Sequence, residues 1–542
     1  MTSDDRPGSR RRPWSARAGT GPAGSAGVPG EPRSGRAPDP TTPAQPAGGA
    51  SAAARGARPR GFGRALAFTV LGAALPGAGF LAAGRRRIGG VVLALFLLLA
   101  AGGGYLAVAG QRGVLLRVAV DSSALLWLAG GVALAALAWV AVVVASYRSL
   151  LPRRIRGWQQ ALGGVLVVAL CAAVVAPAVL VVQLAAAQRD LVDTVFADRE
   201  SATVVEPEDP ADPFAGRESI NVLLLGGDGG EGREGVRTDT VIVANVQTDT
   251  GRTTLFSLPR NLQELPFPAD SPLAEVYPDG FDAGSESESL LNAVYRNGPA
   301  WYPDVLGPTT DPGADFLKLG VGEALGLHID YYVLVNLEGF SRLIDALGGI
   351  TVNVNYYVPI GGEPTIGILP DDYIAPGPDQ HLDGTRALDF ARGRFGQSDY
   401  MRMDRQRCVI DAIVAAADPM TLLSQYRELA ATTQDIVSTD IPARVLGDVA
   451  ELALRVKDAE IRSVVFDDTV IDPAYPDYDR IRALVQEALV PAPPVDDAGP
   501  APEQPAPPPD AGVVSEVGDA CAYDPVEAAA ALAEGEPPTR GG

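Results

Sequence analysis

Residues 219–260, SINVLLLGGDGGEGREGVRTDTVIVANVQTDTGRTTLFSLPR, decide the fold class of this chain. Three apolar runs lie within them, at 220–225, 239–246 and 253–258. Each run is short, rich in Val, Ile, Leu or Thr, and bounded by Gly, Asp or Pro, which is typical of buried strands. The first run leads into a Gly-rich loop and the third ends at Pro259. We therefore expect three strands of one sheet.

Further strand patterns alternate with helical ones downstream. The apolar periodicity predicts strands at 331–336 and 351–354, and helices at 286–296, 315–326, 337–347, 402–417, 419–431 and 442–456. Strands that alternate with helices indicate an α/β fold, here a layered mixed sheet with helices on both faces, preceded by transmembrane helices. We place this domain at residues 218–490.

Charge is distributed unevenly along the chain. Residues 1–187 contain 20 arginines and 5 acidic residues, out of 44 basic and 66 acidic residues in all, so the remainder holds 24 basic and 61 acidic residues. A basic first part and an acidic second part argue against a nucleic-acid-binding protein. They indicate a membrane protein whose two parts lie in different compartments.

Residues 61–187 are predicted to form the membrane region. Three apolar segments there, at about 88–110, 124–146 and 161–185, are each long enough to cross about 30 Å of hydrocarbon. A further apolar segment at 65–84 is interrupted by Leu75-Pro76-Gly77, which favours a re-entrant or interfacial hairpin.

Arginines predict the orientation of these spans. Arg85, Arg86 and Arg87 precede the first span, and four arginines occupy the loop between the second and third, whereas residues 111–123 contain two. The positive-inside rule then places the N-terminus in the cytoplasm and the α/β domain outside the cell membrane.

The remaining segments are polar. Residues 1–60 are predicted to be a disordered basic cytoplasmic tail, and residues 188–217 an acidic stem. Residues 491–542 are rich in Pro, Asp and Ala and are expected to be mostly disordered, with a short helix at 525–534.

Residues 383–413, DGTRALDFARGRFGQSDYMRMDRQRCVIDAI, gather basic side chains within the acidic part of the chain. Residues 390–394 have the pattern of a strand end. Because residues two apart on a strand share a face, Arg392 and Arg394 are expected to point the same way.

A helix is predicted to begin near Tyr400, after Ser398 or Asp399 as its capping residue. One face of this helix carries Arg402, Arg405 and Gln406. Like charges held together cost energy unless an anion lies among them, and guanidinium groups match phosphate oxygens. The cluster therefore predicts a phosphate or pyrophosphate site, whereas Arg407, off that face, is expected to be an ordinary surface charge.

Other polar residues fall where predicted strands begin or end. Asp228 follows the first strand, Arg237 and Asp239 mark the start of the second, and Arg260 follows the third. Singly, each fits a structural role: a turn residue, an Arg237–Asp239 ion pair and a solvated turn. Together they indicate a site, because strand ends are where α/β sheets bind ligands.

The residue types restrict the chemistry. The chain has two histidines and three cysteines, which argues against a histidine-based triad or a zinc cluster. The Gly-rich loop lacks the GK[ST] of a P-loop ATPase. Carboxylates and arginines without histidine fit phosphoryl chemistry assisted by Mg²⁺ or Mn²⁺.

The domain resembles the LytR-CpsA-Psr family of cell-wall glycopolymer ligases over roughly residues 218–420. The motifs that carry the resemblance are INVLLLGGD (220–228), RTDTVIVANV (237–246), LFSLPRN (255–261), LLNAVYRNG (290–298), IDYYVLVNLEGFSRLIDALGGITVNV (329–354), and HLDGTRALDFARGR with SDYMRMDRQR (381–407).

This resemblance implies an apolar groove for a polyprenyl chain, with a pyrophosphate and Mg²⁺ (or Mn²⁺) at its mouth. It also implies a membrane-anchored phosphotransferase that moves a glycopolymer from a polyprenyl pyrophosphate carrier onto peptidoglycan and releases polyprenyl phosphate. The expected partners are the lipid-linked glycopolymer, peptidoglycan and the membrane, without nucleic acid. A polyprenyl-phosphate-binding regulatory protein and a lipid pyrophosphatase are the alternatives.

The family's site residues carry over position by position. Asp228 and Asp239 match its metal-binding aspartates, and the arginines that hold pyrophosphate match Arg237, Arg260, Arg392, Arg394 and Arg402. Asp399 and Gln406 match further polar positions of that site, and Arg405 and Gln406 are also expected among the residues that bind pyrophosphate. The family often has Arg-Asp where this chain has Arg260-Asn261, which removes one carboxylate. Asp228 or Asp399 is then left to accept the proton of the attacking hydroxyl, and these two residues with Arg260 are the expected catalytic residues.

Two further expectations concern the groove and the cysteines. Val333, Val335, Phe340, Leu343, Ile344 and Leu347 are candidates to line the groove, with a core role expected for each. Cys408 and Cys521 both lie outside the membrane by the predicted topology, where disulfides persist, so we predict that they pair. The alternative is a buried Cys408 with an unpaired thiol at Cys521.

Overall fold

The computed structural model of the chain describes residues 61–108, 117–152, 154–196, 199–207, 209, 212–228, 236–417, 437–490 and 514–541. The predicted tail at 1–60, the predicted helix at 419–431 and residues 491–513 lie outside these residues.

The first helices are apolar. They are α1 (Phe62–Ala74), α2 (Ala78–Ala82), α3 (Arg86–Val108), α4 (Ser122–Leu150) and α5 (Gly157–Val195). By length and composition, α3, α4 and α5 can cross a membrane. Their apolar side chains are largely exposed, for example Leu98 at 69% and Trp127 at 81%, as expected of surfaces that face lipid.

The interrupted segment at 65–84 forms two short helices. Gly77, between α1 and α2, has a φ of 101°, a left-handed conformation that glycine adopts without strain. The Trp139 indole nitrogen of α4 donates to the Ala73 carbonyl at 3.0 Å, which holds the end of α1 against α4.

The part of the predicted stem that the structure describes packs on the domain. Asp315, only 2% exposed, accepts hydrogen bonds from Ser201 Oγ (2.8 Å), Ala202 N (3.1 Å) and Thr203 Oγ1 (2.5 Å). Because a buried carboxylate without partners is costly, these bonds fix the stem to the domain. The acidic composition of the stem did not predict this contact.

The domain contains short strands and helices in alternation. The strands are β1 (Ser219–Gly227), β2 (Thr238–Gln247), β3 (Thr253–Leu258), β4 (Tyr331–Asn336), β5 (Ile350–Val354), β6 (Val358–Ile360), β7 (Asp372–Ile374), β8 (Gly377–Leu382), β9 (Val437–Thr439), β10 (Ile461–Val465) and β11 (Val514–Glu516). The helices are α6 (Pro272–Val276), α7 (Leu291–Trp301), α8 (Pro312–Leu325), α9 (Leu337–Leu347), α10 (Gly384–Arg392), α11 (Asp399–Ala416), α12 (Leu446–Lys457), α13 (Tyr478–Leu489), α14 (Val517–Ala520) and α15 (Pro525–Glu534).

Seven of these strands form one sheet in the order β11-β10-β3-β2-β1-β4-β9. The pairs β1–β4 and β3–β10 are parallel, whereas β1–β2, β2–β3, β4–β9 and β10–β11 are antiparallel. Two small sheets, β5–β8 and β6–β7, lie beside it. The predicted mixed sheet with helices on both faces is confirmed.

The two faces of the large sheet are packed differently. On one face, which we call the closed face, Leu223, Val243 and Phe256 are fully buried in a core completed by α7, α8 and α13. On the other, the open face, Leu224 and Ile242 border a cavity covered by α9, α10 and α11. Side chains that alternate along β1 therefore serve two different purposes.

The expected strand end at 390–394 is wrong, because residues 384–392 form α10. Asp383 caps this helix by accepting a hydrogen bond from the Arg386 backbone nitrogen at 2.8 Å. The predicted helix at 286–296 is also displaced: Glu286–Glu288 form a 3₁₀ turn and α7 begins at Leu291.

The C-terminal segment packs back onto the domain. Cys408 of α11 and Cys521 form a disulfide, with Cα atoms 5.6 Å apart and a separation of 113 positions in sequence. The Asn353 side chain donates to the Cys521 carbonyl at 3.0 Å, and β11 extends the sheet. The helix predicted at 525–534 is α15, but the described part of this segment is more ordered than its composition predicted.

Candidate active site

A cavity of about 280 Å³ lies between the open face and helices α9, α10 and α11. Its body is apolar, lined by Leu224, Leu225, Ile242, Val333, Val335, Leu337, Phe340, Leu343, Leu388, Ala391, Val409, Ile410 and Ile413. The polar residues that line it, which we call the mouth, are Asp228, Asp239, Thr240, Arg260, Asn336, Arg392, Arg394, Arg402 and Gln406. The cavity therefore suits a molecule with an apolar body and a charged head.

The groove candidates divide into two groups. Val333, Val335, Phe340 and Leu343 line the cavity, so the expected core role is wrong for these four. Ile344 and Leu347 are 0% and 6% exposed and belong to the packed interior. Since α9 is one amphipathic helix, its sequence alone did not separate residues that border the cavity from residues that fill the core.

Four side chains from three segments form a charged chain at the mouth. Arg260 Nη1 lies 2.9 Å from Asp239 Oδ1, and Arg260 Nε lies 3.2 Å from Asp399 Oδ1. Arg402 Nη2 lies 2.9 Å from Asp399 Oδ2. Asp399 thus contacts two guanidinium groups, one with each carboxylate oxygen.

Arg402 is the most buried member of this chain. It is 4% exposed, and its Nε has no hydrogen-bond partner among the residues that the structure describes. Burial lowers the pKa of Arg402 while Asp399 opposes that shift. A buried guanidinium donor without an acceptor is costly, and an anion in the cavity would supply that acceptor.

Arg392 is the last residue of α10, Arg394 comes after Gly393, and both arginines line the mouth. Within the described residues, the Arg392 side chain forms no hydrogen bond or ion pair, and the Arg394 side chain is paired with Glu363 only at 3.9 Å. Although the predicted strand is a helix, both guanidinium groups reach the same cavity. With Arg260 and Arg402 they bring four cations to the mouth.

Asp239 is ionised under these arginines. Burial alone would raise its pKa, but the hydrogen bond and charge of Arg260, with Arg402 and Asn292, hold the pKa of Asp239 below its usual value. Asn292 Nδ2 donates to Asp239 Oδ1 at 3.3 Å. Asn292 was not among the predicted site residues, although it lies in the LLNAVYRNG motif.

Arg237 and Asp228 are joined at the entry to β2. The Arg237 backbone nitrogen donates to Asp228 Oδ1 at 2.8 Å, and the Asp228 nitrogen donates to the Arg237 carbonyl at 3.0 Å. The Arg237 side chain turns instead to Glu288, at 2.6 Å, so the structural Arg237–Asp239 ion pair is not formed. Glu288 also pairs with Arg296 and was missed by sequence reasoning. We call this cluster of Arg237, Glu288 and Arg296 the rim.

Arg405 has a structural role rather than the predicted contact with pyrophosphate. It is 3% exposed and donates to the carbonyls of Phe390 (2.7 Å) and Gly393, and to Gln397 Oε1 at 2.8 Å. These carbonyls belong to the C-terminal end of α10, where a cation is favoured by the helix dipole. The guanidinium group thereby fixes α10 against α11.

The next two residues of α11 are Gln406 and Arg407, and the prediction is wrong for Arg407. Gln406 lines the mouth and donates to the Ala391 carbonyl at 3.4 Å. Arg407 is not an ordinary surface charge: its side chain is 12% exposed and donates to Ser463 at 2.9 Å and to Ser515 at 3.2 Å. It joins α11 to β10 and β11.

Asp228 and Asp239 are the carboxylates that line the cavity. Among the described residues there is no group of three or more His, Cys, Asp or Glu side chains that could hold a metal alone. Two carboxylates fit Mg²⁺, which commonly takes one or two protein carboxylates and completes its shell with water and phosphate oxygens.

Comparisons with known proteins find a matching family model and similar curated proteins. The model of the LytR_cpsA_psr family matches residues 181–476. The polyisoprenyl-teichoic acid–peptidoglycan teichoic acid transferase TagU of Enterococcus faecalis is 31% identical over 249 residues, which are 45% of this chain and 67% of that protein. Biofilm regulatory protein A of Streptococcus mutans is 27% identical over 237 residues, 42% of this chain and 52% of that protein.

A solved structure is also similar. The crystal structure of TagV from B. subtilis has 23% sequence identity and a TM-score of 0.35, and the match covers 50% of this chain and 97% of that one. The chain spans about half to two thirds of the length of the two curated relatives. Because the family model matches more than half of the chain, this protein belongs to the LytR_cpsA_psr family.

Proposed function

We propose that this chain is a membrane-anchored phosphotransferase that moves a glycopolymer from a polyprenyl pyrophosphate carrier onto peptidoglycan. One observation carries the proposal: an apolar cavity ends at a mouth with four arginines and two carboxylates. A polyprenyl pyrophosphate has the matching pattern, an apolar chain with an anionic head. The name of the E. faecalis relative, a polyisoprenyl-teichoic acid–peptidoglycan transferase, supports the same class of reaction.

The apolar cavity holds the polyprenyl chain, and the arginines bind the pyrophosphate. Arg260 and Arg402, fixed by Asp399, present guanidinium groups whose positions need no rearrangement. Arg392 and Arg394 carry no tight ion pair and neutralise the phosphoryl oxygens. Charge that spreads over those oxygens during transfer is thus met by donors already in place.

Asp228 and Asp239 would hold Mg²⁺ together with the pyrophosphate. When bound, Mg²⁺ supplies neutralisation of phosphate charge and polarises the phosphorus that is attacked. Each oxygen of Asp399 faces a guanidinium group, and Asp228 would be engaged by the metal. In the transfer, the acceptor hydroxyl oxygen bonds to the phosphorus that carries the glycopolymer, the bond from that phosphorus to the bridging oxygen breaks, and polyprenyl phosphate is the leaving group. The hydroxyl proton passes to one of the two carboxylates, Asp228 or Asp399.

We also propose an orientation, with the N-terminus in the cytoplasm and, after three crossings, the domain outside. The distribution of arginines around the apolar helices supports it. The Cys408–Cys521 disulfide supports this orientation, because disulfides persist outside the cytoplasm.

The test uses the full chain purified in detergent. Mass spectrometry should find a polyprenyl phosphate in the preparation. Addition of Mg²⁺ and a polyprenyl pyrophosphate-linked glycan should then give product that depends on peptidoglycan. Free phosphate without acceptor-dependent product would indicate a lipid pyrophosphatase, and retention of lipid without turnover a regulatory binding protein.

Variants locate the site within that experiment. Arg392→Ala and Arg402→Ala should bind the lipid pyrophosphate more weakly than the wild type. Arg252→Ala removes the same charge from the β2–β3 turn, at the opposite end of the strands from Arg260, and serves as the control. If the first two variants bind as the wild type does, the mouth is not the pyrophosphate site.

A further inference from the structure

A second concave site lies outside the mouth. It has a volume of about 330 Å³ and is formed by the loop after α6 and by the end of α7. Its side chains include Tyr277, Asp279, Asp282, Trp301 and Tyr302. We call it the aromatic pocket. None of these residues takes part in the transfer chemistry proposed above.

Trp301 is the prominent exposed residue of this pocket. Its side chain is 63% exposed at the end of α7, and Tyr302 beside it is 39% exposed. Burying an indole is normally strongly favourable, so an exposed Trp at the edge of a concave site indicates a contact surface. A flat aromatic face suits the apolar C–H face of a sugar ring.

Acidic groups complete the pocket. Asp279 forms no hydrogen bond or ion pair with a residue that the structure describes, while Asp282 Oδ1 accepts from Gly284 N at 2.8 Å and Ser289 Oγ at 3.0 Å. The residues lining the pocket include no Lys or Arg. Carboxylates without a cation accept hydrogen bonds from hydroxyl groups and disfavour an anion such as a phosphate.

Tyr277 provides an independent observation. It is 6% exposed, it lines the pocket, and its hydroxyl has no hydrogen-bond partner among the described residues. Burial, together with Tyr302 and Asp282, raises the pKa of Tyr277 to about 12, so the hydroxyl keeps its proton. The Tyr302 ring packs edge-on against the Tyr277 ring, with centroids 5.6 Å apart.

These groups distinguish a sugar from a cationic peptide. A Lys ammonium group has donors but no acceptor, so it would leave the Tyr277 hydroxyl without a partner for its proton. A sugar hydroxyl both donates to a carboxylate and accepts from a phenol. A neutral sugar therefore satisfies Asp279, Tyr277 and the Trp301 face at the same time.

A short segment links the pocket to Arg237, whose backbone nitrogen donates to Asp228 of the mouth. Asp282 and the Ala283 nitrogen bind Ser289 Oγ, and the adjacent Glu288 pairs with Arg237 at the entry to β2. A ligand in the pocket would thus lie against the same loop that positions a predicted pyrophosphate residue.

We propose that the aromatic pocket binds a neutral sugar unit of a glycan chain and so aligns that chain with the mouth. This inference rests on the proposed function for its biological meaning, but not for its test. The sugar belongs either to the peptidoglycan strand or to the transferred polymer, and both sources share the same recognition chemistry.

The test measures binding to the full chain in detergent by calorimetry. Two probes distinguish the sources: an N-acetylglucosamine tetramer for the peptidoglycan strand and a galactose tetramer for a neutral transferred polymer. At least one should bind, and Trp301→Ala should weaken it by about tenfold or more, the scale of one lost aromatic contact. Trp301→Phe, which keeps an aromatic face, should recover most of the affinity.

The control is Tyr475→Ala, because Tyr475 is 81% exposed and outside the pocket. It should leave sugar binding unchanged. Failure of both tetramers to bind the wild type, equal binding by Trp301→Ala, or displacement by a lysine tripeptide would each overturn the proposal.

Retention of polyprenyl phosphate separates this inference from the proposed function. The amount of retained lipid should be the same in Trp301→Ala as in the wild type. If Trp301→Ala loses retained lipid to the same degree as it loses sugar binding, the loop merely supports the mouth and the proposal is overturned. If sugar binding depends on Trp301 while the wild type shows no transfer, the pocket assignment stands and the phosphotransferase proposal falls.

Discussion

The closed and open faces of the large sheet differ in what their apolar side chains accomplish. On the closed face, Phe256 and Phe316 are fully buried and leave no room for a ligand. On the open face, Leu224 and Val333 border a cavity with charged groups at its mouth. The same two-residue alternation along a strand thus supplies stability on one side and a binding surface on the other.

The largest effect is expected on the closed face. Phe256→Ala leaves a cavity among large side chains, and should lower the free energy of unfolding by about 3–5 kcal/mol. Denaturant unfolding of the full chain in detergent, monitored by the susceptibility of the α/β domain to proteolysis, measures the change. A loss below about 1 kcal/mol, the range of well-tolerated core substitutions, would mean that the closed face is not the stabilising one.

At the mouth of the open face, a comparable effect should appear in transfer rather than in stability. Arg260→Ala removes a guanidinium group that bridges Asp239 and Asp399, and should lower the transfer rate by about 10²–10³-fold, as loss of a charge-stabilising donor does. Product formation with peptidoglycan acceptor is the readout. Arg252→Ala is the matched control, and equal rates for the two variants would remove Arg260 from the site.

In the cavity itself, a larger side chain should impair ligand binding without impairing the stability of the sheet. Leu388 lines the cavity from α10 and is partly exposed. Leu388→Trp should reduce the retained polyprenyl phosphate by about tenfold, because the indole fills open space in the cavity. It should change the free energy of unfolding by about 1 kcal/mol or less. Mass spectrometry of purified protein gives the first value. Full retention of lipid would place the lipid elsewhere.

The smallest effect is expected at the rim, as a dependence on pH. Hydrogen bonding by Asn297, with the charges of Arg237 and Arg296, holds the pKa of Glu288 below its usual value. A carboxyl group with a lowered folded pKa contributes stability above its unfolded pKa of about 4.3, and that stability is lost as pH falls through the folded pKa.

Glu288→Gln should therefore be slightly less stable than the wild type at pH 7, and the difference should vanish in acid. Thermal unfolding between pH 3 and pH 7 measures it. Glu286→Gln, two residues away, is the control. A difference that persists unchanged at pH 3 would show that Glu288 acts through packing and not through its charge.

Local patterns predicted much of the sheet and some of the helices. The runs that became β1, β2, β3 and β4 were identifiable because buried strands are apolar, short and bounded by turn residues. Helix α9 matches its predicted bounds, since Asn336 caps its start and Gly348 ends it in a left-handed conformation.

Long-range pairings were not predictable in this way. Strand β10 joins the sheet beside β3, and β11 pairs with β10, both from distant parts of the chain; neither strand was recognised. Helix α10 was missed because it is short, although Asp383 gave a capping signal. Arg405 shares a helix face with Arg402 in sequence, yet the carbonyl groups of α10 occupy its guanidinium group, and only the fold brings them together.

The disulfide also sets an order in time. Cys521 is synthesised 113 residues after Cys408, so the helix that bears Arg402 must leave the ribosome well before its covalent partner. With the topology proposed here, both thiols must also cross the membrane before they can be oxidised. Helix α11 is therefore linked to the C-terminal segment late in biogenesis. A chain whose translation stops before Cys521 would be exported without this disulfide.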